Sequence, residues 1–451
     1  MPTFFLLPLV LAAAAPNPCA TIDLQSALSL VGRRSDEVAI KQAEVEVAAS
    51  DQAIARAVQW IPIATATLIV GPVPGAHGDV TSAPGYSNRS LNGLSAFGRI
   101  DVNAVQPIYT WGQLSAARDA ANAGFSARSL LVKDQVAQVQ LRIIQLFWTQ
   151  AMTHKLLAIA ADVEDALKKV DEKIAESLKS EEGDITLEDK YRVKLFEGEL
   201  ASRKADAEQA QQLAQIGLAA TLAMDPRKVT FEAPPLDASG PALPPLQTLL
   251  ERAESSRPDL QALDQAIHAR EAEIRADKAA MLPAIFLAGE FSYAYAPNRD
   301  LQLNPWVNDP FNELSAGLVI GARQNLSFPL LIAQKNKAEA ELDQMHAQRR
   351  GLLRLIDTQV ESARAEADAA QAKLTAAQGA LGSGKAWFRS AAMNFGLGVD
   401  DAKTLLESYQ GYVESEVNLA SASYAMLVAR AKLDQLTGAP LSHGEGKCVS
   451  P

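Results

Sequence analysis

The 451-residue chain has little of what most functional sites are built from. It holds 2 cysteines, Cys19 and Cys448, near opposite ends, which leaves nothing for a disulfide framework or a cysteine-rich metal centre. Its 5 histidines, His77, His154, His268, His346 and His443, share no ligand spacing. Aromatic residues make up only 6 % while hydrophobic residues reach 48 %. Much of the apolar content is therefore alanine, which favours close-packed helices. Cations are scarce too: 42 Lys+Arg against 53 Asp+Glu give −11, the wrong sign for a surface that wraps nucleic-acid phosphates. No stretch offers 18 or more consecutive apolar residues, so no transmembrane helix is expected. If the chain enters a membrane, it enters as strands.

Catalytic motifs are missing as well. There is no nucleophile elbow, HExxH pattern or cysteine pair. The segment Gly379-Ala-Leu-Gly-Ser-Gly384-Lys385-Ala386 imitates a phosphate loop, but Ala386 stands where a Ser or Thr must reach Mg²⁺. Neither enzyme activity, cofactor nor metal is expected.

The N-terminus carries an apolar run, Phe4–Ala15, ending in small residues. That is the length of a signal-peptide core, with cleavage expected near Ala14 or Ala20. Residues 1–20 are read as this peptide and a short leader. Asn17 and Pro18 before Cys19 argue against lipid attachment, and an exported chain would permit Cys19 and Cys448 to pair.

The rest is written twice. Arg34-Ser-Asp-Glu-Val-Ala-Ile answers Arg257-Pro-Asp-Leu-Gln-Ala-Leu, an offset of 257 − 34 = 223. Pro62 answers Pro283, Pro107 answers Pro329, and Pro226 answers Pro440, at offsets of 221, 222 and 214. A period this long marks a duplicated unit, not a solenoid module of roughly 20–50 residues. The reading gives a first repeat over 21–226, a linker over 227–245 with a short strand at Val229–Glu232, a second repeat over 246–440, and a tail over 441–451. Each repeat runs helix, strand, loop, strand, very long helix, turn, return helix.

Strands are expected near 62–71, 97–106, 283–293 and 314–327, because apolar and polar residues alternate there. Ile100, Val102 and Ala104 oppose Arg99, Asp101 and Asn103. Ile285, Leu287, Phe291 and Tyr293 oppose Glu290 and Ser292, and Leu318, Ile320 and Ala322 oppose Arg323. Charge confined to one face at this length suits a lipid-facing barrel strand with a wet inner side. Tyr86, Tyr293, Tyr295 and Trp306 are candidates for an interfacial belt. Long helices follow over 113–178 and 334–394, with apolar steps of three and four, and return helices over 187–223 and 401–436. A helix of about 65 residues is roughly 100 Å long. The return helices are much shorter, so the helix before the strands must stack on the return helix to complete each pair.

Four strands cannot close a barrel, and an open edge is not tolerated in lipid. Eight strands would fill with side chains, whereas twelve from three copies would enclose water. Arg99, Asp101, Glu290 and Arg323 would then line the lumen.

The helix–strand–strand–helix duplication, the junctions Gln106-Pro-Ile-Tyr-Thr-Trp-Gly-Gln and Gln334-Lys-Asn-Lys-Ala-Glu-Ala-Glu-Leu, and the last helix from Leu405-Leu-Glu-Ser-Tyr409 to Leu433-Asp-Gln-Leu-Thr-Gly438 are similar to the outer membrane efflux protein (TolC) family. The resemblance covers about Thr21–Pro440. It implies an α+β membrane protein whose four strands per chain build a trimeric twelve-stranded barrel, continued by a periplasmic α-helical coiled-coil tunnel. It also implies docking to a periplasmic adaptor and an inner-membrane transporter, and residence in outer-membrane lipid. Two helical hairpin tips would touch the adaptor, through Gly183, Asp184 and Ile185 and through Gly396, Gly398 and Val399. Gly183-Asp-Ile-Thr-Leu-Glu-Asp189 fits the family turn, whereas Thr404 replaces the aspartate of the second. Asp400 and Asp401, with Asp189, are the candidate entrance ring; acids at a helix start also compensate its dipole. An exported coiled-coil scaffold or adhesin is the rival reading, sharing the helices but having no use for the strands.

Overall fold

The computed structural model describes residues 21–76, 93–180, 187–302, 309–397, 399 and 402–441. Eight helices are found among the described residues: α1 Leu24–Arg34, α2 Asp36–Trp60, α3 Gln113–Ser180, α4 Leu187–Thr221, α5 Leu246–Ser256, α6 Pro258–Ala279, α7 Phe328–Gly396 and α8 Ala402–Leu436. The strands are β1 Thr21–Ile22, β2 Ile63–Pro74, β3 Leu94–Tyr109, β4 Thr230–Phe231, β5 Ala284–Tyr295 and β6 Glu313–Arg323.

The helices come in matched pairs. α1 and α5 have 11 residues each, α4 and α8 have 35 each, and α3 and α7 have 68 and 69. α1 and α5 have no place in the sequence expectation; a single extended residue separates each from the helix that follows. Ser35 (ψ 122°) and Arg257 (ψ 123°) leave the helical region at the same point of their repeats. Each amide still reaches back, Ser35 to the Val31 carbonyl and Arg257 to that of Ala253. Pro258 explains the second break, since proline pushes its predecessor out of the α region. Asp23 caps α1 by accepting the Ser26 N–H at 2.8 Å.

The repeats drift out of register at the strands. The offset is 246 − 24 = 222 between the starts of α1 and α5, but 328 − 113 = 215 between those of α3 and α7. The second strand pair and its flanks are seven residues shorter than the first. Pro107 and Pro329, read as equivalent, consequently stand in different structures. Pro107 lies inside β3 at an irregularity of register between Pro107 and Tyr109. Pro329 sits in the first turn of α7, where its missing N–H does no harm. α7 therefore begins six residues before the expected Gln334, and β6 ends at Arg323 rather than near 327. The phosphate-loop imitation at 379–386 lies wholly inside α7, so no loop exists there to cradle an anion.

The chain forms two compact units that cut across the repeats. In the first (1–42, 131–260, 352–451) the long helices are packed by seams of steps of three and four. On α7 the buried residues are Ile356, Val360, Ala363, Ala367, Ala370, Leu374 and Ala377, facing Met426 and Leu433 of α8 and Leu249 and Leu260. Around α3, Val139, Ile143 and Phe147 are covered by Leu28 and Val31 of α1, Val38 of α2, and Leu218 and Leu222 of α4. The start of α2 and the end of α4 thus share one core. β1 and β4 pair in parallel at its margin, and Phe231 meets the Phe147 ring edge-on at 5.8 Å. Farther along α3, Ile159, Val163, Leu167 and Ile174 pack with Val193 of α4 and Tyr409 and Val413 of α8. The second unit (43–130, 261–351) holds the four-stranded sheet and the helix ends that join it.

Candidate functional site

The sheet runs β2-β3-β5-β6, every neighbour antiparallel. In an antiparallel pair, residues directly opposite share a face, so the register sorts every side chain. Asp101 opposes Thr67 and Ser292, Asn103 opposes Thr65 and Glu290, and Arg323 opposes Ala284. It follows that Arg99, Asp101, Glu290, Glu313 and Arg323 all lie on one face. The other face pairs Leu68 with Ile100, Ile100 with Tyr293, Val102 with Phe291, Leu287 with Ile320 and Gly289 with Leu318. It carries no charge along the four strands. The sorting is complete for charge but not for apolarity: Ile69, Val73, Phe97, Phe286 and Val319 share the charged face.

On that face the Arg99 Nε donates to both carboxylate oxygens of Asp101, at 2.8 and 2.9 Å. The Arg323 guanidinium lies over the Phe286 ring, 5.2 Å from its centre. Gly321 makes room for that ring, since a Cβ there would come within 2.6 Å of Phe286 Cζ. The apolar face is bare. Leu68, Val70, Leu314, Leu318 and Ile320 are each more than 70 % exposed. A bare apolar surface this large marks contact with lipid or another chain. Among the described residues, β2 and β6 each have a sheet partner on one side only, leaving a row of backbone donors and acceptors open.

Where strands become helices, Trp60, Tyr109, Trp111 and Phe328 are exposed together with Leu326 and Leu330. Trp111 holds its place through Nε1–H to the Pro283 carbonyl at 3.0 Å and an edge contact with Tyr109. Its φ of 53°, followed by Gly112 at 88°, turns the chain out of β3 into α3. Tyr86 and Trp306 lie outside the described residues, and Tyr293 and Tyr295 sit exposed on the uncharged face. Trp60 and Trp111, which the sequence reading did not single out, are exposed next to transitions between helix and strand.

Of the hairpin-tip residues, Gly183, Asp184, Ile185, Gly398, Asp400 and Asp401 lie outside the described residues, as does the Asp189 side chain. Gly396 closes α7, and beyond it Leu397 and Val399 are 76 % and 72 % exposed. Their amides reach back to the Asn394 carbonyl, at 3.1 and 2.9 Å. Above the tip, Tyr412 donates to Glu416 Oε1 at 2.9 Å. Burial, then that hydrogen bond and the charge behind it, push the phenol up to about 12. Among the described residues no group of His, Cys, Asp and Glu is placed to hold a metal, and no helix is long and apolar enough to cross a membrane.

Residues 249–439 match the family model of outer membrane efflux proteins. The match falls within the second of the two repeats. Solved structures extend the likeness to nearly the whole chain. The outer membrane channel CmeC of Campylobacter jejuni superposes with a TM-score of 0.74 at 13 % identity, over 92 % of this chain and 85 % of that one. The outer membrane protein VceC of Vibrio cholerae gives 0.72 at 15 %, over 93 % and 96 %. The open-state channel MtrE of Neisseria gonorrhoeae gives 0.73 at 16 %, over 93 % and 89 %. At such identities the likeness establishes the fold, the α+β tunnel fold of these channels. No curated protein sequence matches significantly.

Proposed function

We propose that three copies of this chain join edge to edge into a twelve-stranded outer-membrane barrel, continued into the periplasm by the helices as a passive exit duct. The carrying observation is the sheet: charge on one face, a bare apolar opposite face, and two open edges. Lipid would cover the apolar face, neighbouring copies would close the edges, and Arg99, Asp101, Glu290 and Arg323 would face water, where charge costs little. Three chains supply the number of strands at which a water-filled interior opens. The exposed Leu397 and Val399 at the second hairpin tip support docking of a periplasmic adaptor there, with Gly183, Asp184, Ile185, Gly396 and Gly398, and through it an inner-membrane transporter that delivers the substrate. Asp400, Asp401 and Asp189 would ring the entrance and favour cations.

The test is extraction from outer membranes in detergent. A trimer that resists SDS until heated and conducts in planar bilayers supports the duct, whereas a soluble elongated oligomer without conductance refutes it. The ring has its own arm: Asp400→Ala with Asp401→Ala should weaken cation selectivity and cation block, and unchanged selectivity rejects it.

A further inference from the structure

The loop end of the sheet, away from the helices, carries a second built structure. Beyond β5 the chain runs through 296–302, and it returns through 309–312 before β6. The two segments are tied together, Ala296 N–H donating to Asn312 Oδ1 at 2.9 Å and Asn312 Nδ2 to the Arg299 carbonyl at 2.7 Å. They are also tied to the end of β2. Ala76 N–H donates to the Asn298 carbonyl, Asp300 N–H to the Ala76 carbonyl, and Asn298 Nδ2 to that of Gly93. Gly75 permits this approach, for a Cβ there would fall 2.8 Å from Asn298 Nδ2 and 3.0 Å from its carbonyl oxygen.

Arg299 is the centre. Its Nη2 and Nε donate to the two carboxylate oxygens of Asp309 at 3.0 and 3.2 Å, and its Nη1 to the Pro74 carbonyl at 2.8 Å. The guanidinium lies 4.8 Å from the centre of the Phe311 ring, which meets Phe97 edge-on at 5.0 Å. The side chains of Arg299 and Asp309 are only 14 % and 4 % exposed. Burying an ion pair costs desolvation that bidentate geometry and extra hydrogen bonds must offset, and a freely solvated loop has no such structure.

The face it covers decides its meaning. Val73, Phe97, Ser292 and Ala294 share the face of Arg99 and Glu290; Val73, Ser292 and Ala294 are at most 3 % exposed. Tyr293 and Tyr295, on the uncharged face, are 46 % and 54 % exposed. The segment is folded over the charged side.

We infer that this cap, locked by Arg299 and Asp309, is a size-limiting shoulder at the outer mouth of the duct, selecting against large hydrophilic solutes. The inference rests on the channel reading, in which three caps project from the wall into the lumen. The test uses the full-length trimer in planar bilayers, with open-channel conductance and exclusion of polyethylene glycols of graded size as readouts. Arg299→Ala and Asp309→Ala should raise conductance and shift the exclusion limit to larger polymers. A conducting wild type whose variants keep its conductance and cutoff overturns the cap while leaving the duct standing. A wild type that never conducts overturns both. Should either variant fail to assemble, Phe311→Ala leaves the ion pair in place and should still shift the cutoff upward, and a wild-type cutoff there also overturns the inference.

Discussion

Leu318 and Val319 are neighbours near the middle of β6, and both are well exposed in the single chain, at 71 % and 59 %. On an ordinary wet surface, substituting either would change stability by roughly 0.5 kcal/mol or less. The register separates them: Leu318 opposes Gly289 on the uncharged face, Val319 opposes Ala288 on the charged one. Leu318→Arg should therefore place a guanidinium near the middle of the hydrocarbon layer, at about 2–4 kcal/mol per copy. A cooperative three-copy barrel feels this three times, roughly 6–12 kcal/mol, comparable with the whole stability of a folded domain. Val319→Arg meets water and should cost little. The assay is the yield of heat-labile, SDS-resistant trimer in the outer-membrane fraction, followed by urea unfolding in lipid vesicles. Leu318→Arg should remove nearly all trimer and Val319→Arg almost none. Equal tolerance of both substitutions, or a greater loss for Val319→Arg, would refute the assignment of faces and with it the lipid-facing sheet.

Three further outcomes follow from the helical unit. Phe147→Ala removes a fully buried ring packed against Phe231 and should cost about 3–5 kcal/mol in denaturant unfolding. Asp134, on α3, is held above the usual carboxylate range by burial and by the charge of Asp259, against the opposing pull of Arg257 and Gln138. A raised folded value favours the protonated form, so the benefit is present at low pH and lost as pH rises through that value; Asp134→Asn should raise Tm at pH 7 and raise it less in acid. Tyr412 should show no tyrosinate absorbance until pH approaches about 12, where an ordinary tyrosine titrates near 10.0. Its contribution to stability, complete below the ordinary value, should disappear as pH climbs through the folded one, and Tyr412→Phe should lack that step.

The strands were legible because alternation is a property of adjacent residues. Ala64, Ala66, Leu68 and Val70 declare a face without reference to anything distant, and so do Ile100, Val102 and Ala104. The seams of α3 and α7 were legible for the same reason, at a period of three and four. What failed was punctuation. Pro107 and Pro329 look alike in the sequence, but proline is tolerated both at a strand irregularity and in a first helical turn, and only the surrounding chain decides between them. The helices α1 and α5 were missed because each has only 11 residues, about three turns, too few for a helical period to stand out from its surroundings. The cap was invisible for another reason: Arg299 and Asp309 sit ten residues apart in a loop without periodicity, and their meeting depends on contacts with Pro74, Ala76 and Gly93, more than 200 positions upstream.

The equal lengths of α4 and α8, and the near-equality of α3 and α7, have an evolutionary corollary. An inserted residue turns everything beyond it by about 100° about the helix axis, so a change in one long helix carries its whole buried seam away from its neighbours unless the sister helix changes in step. Strand hairpins bear no such coupling, and that is where the two halves have grown unequal. Proteins built from the same duplicated unit should accordingly diversify in the length of their strand hairpins, while their helical spans change seldom and in tandem.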